Sequence, residues 1–296
     1  MKRIFSALLA AGLLTACAGV AAPGATKSGT PQQGLAASGK AMGQLRSAKF
    51  DVNGTVHVTL PQALVDQLRA KGGAQAGLLS SDMTVILKIS GAAQKPDQLD
   101  ATISAKLGGL TLNTEVISAG GKLYYKDPMT SKWEVLKASA PTAEPKTGSG
   151  KLSYQTVIDT AKSVTEVTDA SSKINGVTVE HYRVVPDLVK LFAALSAGHS
   201  ASSTEMSALQ TVLRNATVSA DVWTGTSDHL VRRASYDADV TADLSQLAAA
   251  FKTESATTKS PALSLPAGSM AHVSAHLVVE LHDFNSQVKI QAPKVG

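Results

Sequence analysis

Few residues in this chain have the type and spacing that chemistry requires. There are seven histidines and one cysteine. His272 and His276 fall four apart in an alternating run, which places them on one strand face about 13 Å apart. Ligands of a single zinc each sit about 2.1 Å from it, so the two do not form a zinc pair, and His282 lies farther along still. They read as exposed-face histidines able to give some pH response near pH 6 to 7. Gly34-Leu35-Ala36-Ala37-Ser38-Gly39-Lys40-Ala41 stops one residue short of a phosphate loop. Ala41 stands where a hydroxyl would hold magnesium, and no strand precedes the segment. A second cysteine for a redox pair is missing, as are a G-x-S-x-G elbow and an H-E-x-x-H run. Only a Ser/His/Asp set assembled from distant segments would leave room for an extracytoplasmic hydrolase. The expectation is a protein that is not an enzyme, with no cofactor and no metal.

The lone cysteine is the exception. Met1-Lys2-Arg3 is a short positive start, and Ile4 to Leu14 is an apolar run too short to cross a bilayer, which takes about 20 residues. Residues 1–16 therefore read as a signal peptide. Leu14-Thr15-Ala16-Cys17 resembles the bacterial lipobox, and the resemblance implies that Cys17 receives a diacylglyceryl thioether and becomes the mature first residue. Multiple acyl chains, at about 0.8 kcal/mol per buried methylene, anchor a protein stably where one chain does not. Residues 17–33 then form a flexible tether rich in Gly, Pro, Ser, Thr and Ala, spanning about 20 to 24 Å. The expected location is extracytoplasmic, on a bacterial cell membrane.

Composition narrows the rest. The chain has 296 residues, 44% of them apolar, 17% charged and 4% aromatic, with 23 glycines. That suffices for a large core without disulfides and favours strands and turns. The formal charge is +5, of which Lys2 and Arg3 supply two. So small an excess excludes nucleic acid as the expected partner.

The elements follow from periodicity. A helix is expected over Leu35 to Lys49, then a strand in which Phe50, Val52, Val56, Val58 and Leu60 alternate with polar residues. Pro61 opens a second helix ending at Gly72-Gly73. A meander follows through Met83 to Ile89, Leu99 to Leu107, Leu110 to Val116, Leu123 to Tyr125, and Trp133 to Val135, with turns at Gly91 to Asp97, Gly108-Gly109, Gly120-Gly121 and Asp127-Pro128. Ala138 to Gly150 is a loop. Helical spacing returns in Tyr154, Val157, Ile158, Ala161 and Val164; Asn175-Gly176 turns into a strand over Val177 to Val185, and Pro186-Asp187 opens a helix with Leu188, Val189, Phe192 and Leu195. Ser202 and Glu205 have capping-box spacing. Strands over Thr217 to Thr224 and Leu230 to Ala242, a helix from Leu244 to Phe251, a loop to Ala271 and a strand from Val273 to Leu281 follow; Val288 to Ile290 ends the chain. The fold class is α+β, residues 34–296 forming one domain with about nine to eleven strands in an antiparallel sheet that curls, and helices on one face.

Several segments, in this order, resemble the LolA-like envelope fold, and in particular the actinobacterial lipoprotein group of LppX and LprG. These are the helix-then-strand start from Leu35 to Leu60, Ile174-Asn175-Gly176-Val177 leading to His181-Tyr182-Arg183-Val184, and Ala220-Asp221-Val222-Trp223 followed by Leu230-Val231-Arg232-Arg233. The closing Leu281-His282-Asp283-Phe284-Asn285 and Val288-Lys289-Ile290-Gln291-Ala292-Pro293 complete them. The resemblance implies an open half-barrel whose concave face, closed by helices, holds the acyl chains of a lipid or glycolipid. Candidate lining residues on the apolar face are Val56, Val58, Val85, Leu87, Ile103, Leu112, Val116, Trp133 and Val135, with Leu188, Phe192 and Leu195 as a helical lid. A packed core is the plain alternative for each of them. Tyr124, Tyr125, Tyr182, Tyr236, Trp133 and Trp223 would make either a binding patch or core, and Arg232-Arg233 would suit anionic headgroups or simply end a strand in water. The expected function is a membrane-anchored carrier of acyl chains. The alternative is an anchored sensor or structural module without a lipid ligand, binding a protein partner.

Overall fold

The computed structural model describes residues 29–71, 80–136, 154–168, 172–196, 203–251 and 265–295. The leader, Cys17, most of the expected tether, the loop from Ala138 to Gly150 and the capping residue Ser202 lie outside the described residues.

The first element is α1, Pro31–Gln44, which takes in the last residues of the expected tether. Thr30 starts it with a full capping box: its hydroxyl accepts from the Gln33 amide (3.4 Å), and the Gln33 side chain accepts from the Thr30 amide (3.0 Å). The helix ends at Gln44 and not at Lys49, because the chain is pinned as a strand from Ser47. The Arg46 amide donates to Asn285 Oδ1 (2.8 Å) and the Ser47 hydroxyl donates to the Ser286 carbonyl (2.5 Å).

Strand β1 (Ser47–Thr59) leads to α2 (Gln62–Lys71) and then to the meander β2 (Asp82–Gln94), β3 (Gln98–Leu107), β4 (Leu110–Ala119), β5 (Lys122–Lys126) and β6 (Trp133–Leu136). Next come α3 (Tyr154–Asp159), β7 (Ala161–Val167), β8 (Lys173–Ile174), β9 (Val177–Pro186), α4 (Leu188–Ser196), α5 (Ser203–Asn215), β10 (Thr217–Gly225), β11 (Val231–Asp243), α6 (Leu244–Phe251) and β12 (Met270–His282). Ala161 and Val164 therefore stand on a strand and not on the expected helix. Thr160 breaks it: its hydroxyl donates back to the Thr156 carbonyl (2.7 Å), and Val164 then pairs with Val184.

The strands form one 12-stranded sheet in the order β6-β5-β4-β3-β2-β1-β12-β11-β10-β9-β7, with β8 paired to β9. Every pairing is antiparallel. The first and last strands meet at its centre, from Lys49 opposite His282 to Thr59 opposite His272. Edges β6 and β7 do not pair with each other, so the sheet is open, and its accumulated twist curls it. Asn175 (φ 50°) and Gly176 (φ 80°) make the tight β8–β9 turn in the left-handed backbone that Asn-Gly favours.

Register divides the side chains. Phe50, Val52, Val56 and Val58 share one face with Leu281, Val279, Ala275 and Val273 of β12 and with Gly91, Ile89, Val85 and Met83 of β2. On this apolar face α1 sets Leu35 and Met42 against Tyr182, Val184 and Val222, and Phe50, Val52, Ile89, Ala101 and Val279 form a second buried cluster. Gly91, expected in a turn, lies inside β2. A Cβ there would overlap the Asp100 carbonyl of β3 and meet the Phe50 ring at 2.9 Å, so the neighbouring strand and the phenyl leave no room for a side chain. Val288 to Ile290 is not a strand; Ile290 is buried against Ile117, Ala119 and Tyr124 on the opposite face.

Candidate functional site

Seven of the nine expected lining residues come together on the apolar face. Val56 lies opposite Val85, Leu87 opposite Ala105, Ala105 opposite Leu112, and Ala101 opposite Val116, while Ile103 sits between Ile89 and Thr114. Val58 continues the row opposite Met83. None of the seven is fully buried. Val56, Val58, Val85, Leu87, Ile103 and Val116 are half-buried, and Leu112 is exposed at 36%. Leu87 and Ile103 touch the second core cluster only from its margin.

Trp133 and Val135 are not part of this group. Val135 pairs with Tyr124, which pairs with Ile117, on the face opposite Val116. Trp133 shares that face and packs on the cluster of Ile117, Ala119, Tyr124 and Ile290, with the Lys126 ammonium 5.8 Å from its ring. The alternation of β6 was legible, but which side it presented was fixed by the β5–β6 turn and by the distant C-terminal segment.

The expected lid residues belong to α4. Leu188 and Phe192 are half-buried on α4, whose main packing partners are α3 and α5. The Leu195 side chain lies outside the described residues. Asp187 caps α4 by accepting from the Lys190 amide (3.1 Å), the largest of the effects that lower its pKa.

Tyr236, for which core and binding patch were both open, sits on the apolar face opposite Leu277 and Ala220. Its ring is 42% exposed, yet desolvation pushes the phenol above its ordinary pKa. Tyr182 differs: it is buried under α1 and donates to Glu180 (2.7 Å), and burial again drives its phenol upward.

On the opposite face the central strands carry histidines paired with carboxylates. His276 bonds Asp237 (2.7 Å), His272 bonds Asp239 (2.8 Å), and His282 bonds Asp51 (3.1 Å). The three histidines are therefore ordered by carboxylates. Among the described residues, no group of three or more His, Cys, Asp or Glu is placed to hold a metal. At the β9–β10 end, His181 and Arg183 both bond Asp221 (2.7 and 3.0 Å). Arg232 pairs with Asp228 and stacks over Phe284 at 4.6 Å, and Arg233 pairs with Glu280 (2.5 Å). Neither arginine is a free cation for a headgroup. Gly34 to Ala41 lies within α1, so the near-phosphate loop is ordinary helix.

Two clefts occur outside the aliphatic group. One of about 400 Å³ lies over the polar residues His57, Asp237, Asp239, Ser274 and His276. The other, about 180 Å³, separates α5 and α6 from the strand ends and is lined by Ala208, Val212, Leu247 and Met270. The latter is below the ordinary range for a ligand pocket, about 300 to 1,000 Å³.

Strand order and helix placement define the class: an open, curled antiparallel sheet with helices on its apolar face, the architecture that the LolA-like resemblance implies. No protein-family model matches the sequence, and no curated protein is significantly similar to it. Among solved structures, the chain is similar to the lipoprotein LppX of Mycobacterium tuberculosis, at 12% identity over 88% of this chain and 98% of that one, with a TM-score of 0.39. LprF of Mycobacterium bovis aligns at 13% identity over 90% and 97%, with a TM-score of 0.41. A LolA superfamily protein of Nitrosomonas europaea aligns at 8% over 88% and 96%, with a TM-score of 0.23.

Proposed function

We propose that this chain is an extracytoplasmic bacterial lipoprotein, anchored through Cys17, that binds the acyl chains of a lipid or glycolipid on its apolar sheet face and carries them between membrane and envelope. The observation that supports this reading is the half-covered aliphatic group Val56, Val58, Val85, Leu87, Ile103, Leu112 and Val116. A packed core would bury these side chains. Left open to water they forgo about 25 cal/mol for each Å² that a hydrocarbon chain would cover. Tyr236 on the same face is also exposed, at 42%.

The energetics suit a carrier. A sixteen-carbon chain gains about 12 kcal/mol gross on leaving water, at about 0.8 kcal/mol per methylene, but a bilayer offers nearly the same. Net transfer is close to balanced, so loading and unloading are both possible. Among the described residues no helix is long and apolar enough to cross a membrane, and attachment in this reading rests on the lipidated cysteine.

Native mass spectrometry of the protein made in a bacterial host without residues 1–17 tests the reading. Co-purified lipid is the expected result. A clean polypeptide mass that does not change after incubation with phospholipid and glycolipid would leave only a tethered module. Cys17→Ala is expected to leave the protein unprocessed or released from the membrane.

A further inference from the structure

The β3–β4 hairpin ends in an exposed tip. Gly108 (φ 58°) and Gly109 make the turn, and a Cβ added at either would meet nothing within 4 Å. The first four residues of β4, Leu110, Thr111, Leu112 and Asn113, are all exposed. Strand β5 pairs with β4 only from Val116 to Ala119, so the outer edge of Leu110 to Asn113 has no strand partner among the described residues. Leu110 and Leu112 are 38% and 36% exposed, and Ile86, opposite Lys106, is 41% exposed. A bare edge carrying large apolar side chains is an aggregation hazard that soluble surfaces suppress.

Two cations share the Ile86 face of the hairpin end, with Leu110 and Leu112 on the other face. Lys88 and Lys106 are exposed on the Ile86 side of the hairpin, and neither has an ion-pair partner among the described residues. Farther along the same face the Glu115 carboxylate pairs with Lys126 (2.6 Å). Exposed leucine and isoleucine beside unpaired lysine is the pattern that settles into an anionic bilayer surface: apolar side chains enter the acyl boundary while ammonium groups reach the headgroups. Leu107, Leu110 and Leu112 lie on the same face as Val85, Leu87 and Ile103, so the tip continues the aliphatic group to the edge of the sheet.

We propose that the Leu107–Leu112 hairpin tip, with Ile86, Lys88 and Lys106 on its other face, is a membrane-docking element that enters an anionic bilayer surface end-on. The proposal rests on the lipid-carrier reading for its purpose, and on the hairpin's own exposure and charge for its chemistry.

Amide exchange of residues 108–113 tests it on the full-length protein as a bacterial host produces it. The protein is mixed with phosphatidylcholine vesicles, with phosphatidylcholine–phosphatidylglycerol vesicles, or with neither. Exchange at the tip is expected to slow about tenfold on the anionic vesicles, and less on the neutral ones. Each lysine contributes about fivefold at an anionic surface, so K88E with K106E is expected to erase the difference between vesicle types. L110S with L112S is expected to remove the slowing on both. Exchange that is the same with and without vesicles overturns the proposal. So does slowing that grows with protein concentration in vesicle-free buffer, which would mean that the bare edge pairs with a second copy. Native mass spectrometry separates the two readings: a protected tip on a protein devoid of lipid leaves docking standing and the carrier fallen, and a lipid-loaded protein with an unprotected tip does the reverse.

Discussion

The imidazole of His181 lies flat on the indole of Trp223, with ring centroids 4.3 Å apart and planes 15° from parallel. The two residues are direct cross-strand partners on β9 and β10, so the stack ties these strands together through side chains as well as backbone. Asp221 holds it in place by bonding both His181 (2.7 Å) and Arg183 (3.0 Å). His181 and Asp221 are buried, whereas the Arg183 side chain is 53% exposed. Asp221→Ala strips a buried partner and is expected to cost about 2 kcal/mol. Arg183→Ala, at a solvent-screened pair, should cost less than about 1 kcal/mol. Urea midpoints at unchanged slope measure both, and equal losses would mean that the exposed arginine carries the network.

Gly34 shows how closely α1 approaches the sheet. A Cβ at this position would overlap the Tyr182 phenol, whose hydroxyl is held by Glu180. Gly34→Val is therefore expected to lift the start of α1 from β9 and destabilise the fold by about 1 to 3 kcal/mol, the ordinary cost of overpacking. Gly34→Val combined with Tyr182→Phe should recover part of the loss. Thermal melting of the two variants gives the comparison.

Elements whose periodicity and burial agree were legible in the sequence. The alternation of Phe50 to Val58 and of Val273 to Leu281 specifies two strands with one apolar face, and these became the central pair. The α1 boundary was misread because the capping box at Thr30 and Gln33 lies among residues whose composition resembles the tether. Ala161 and Val164 fit helical spacing with Val157 and Ile158, and only the pairing of Val164 with Val184, a contact across the intervening β8–β9 turn, makes them a strand. The shared face of seven candidates was legible because parity along β1 to β4 runs unbroken. Trp133 and Val135 were not, since an apolar segment from the far end of the chain covers the face they share with Tyr124.

Lys49 and Asp283 supply an acid-dependent clasp where β1 meets the end of β12. The Lys49 ammonium donates to Asp283 (2.7 Å), and this bond, followed by its charge, holds the carboxyl below its ordinary pKa. A folded pKa lowered in this way means stability that is present above the unfolded value, near 4, and is lost as pH falls through the folded value. Asp283→Asn is expected to flatten the fall in stability below about pH 4 and to leave the neutral-to-alkaline limb unchanged. Denaturation midpoints taken across that acid range check the sign; a variant that steepens the acid loss would contradict it.

The two faces of the sheet make opposite predictions for bound lipid. Val56 and Val85 are direct partners on the aliphatic face, whereas Val135 is 40% exposed on the other. Replacing valine by threonine keeps shape and strand preference while adding a hydroxyl that hydrocarbon cannot satisfy, at about 1 to 3 kcal/mol per buried group. Val56→Thr with Val85→Thr should therefore lower the lipid retained by the protein at least about tenfold. Val135→Thr should leave it unchanged. Lipid-to-protein ratios from native mass spectra, on variants with matched thermal midpoints, decide the matter: equal retention by all three proteins would place the acyl chain somewhere other than the β1–β2 face.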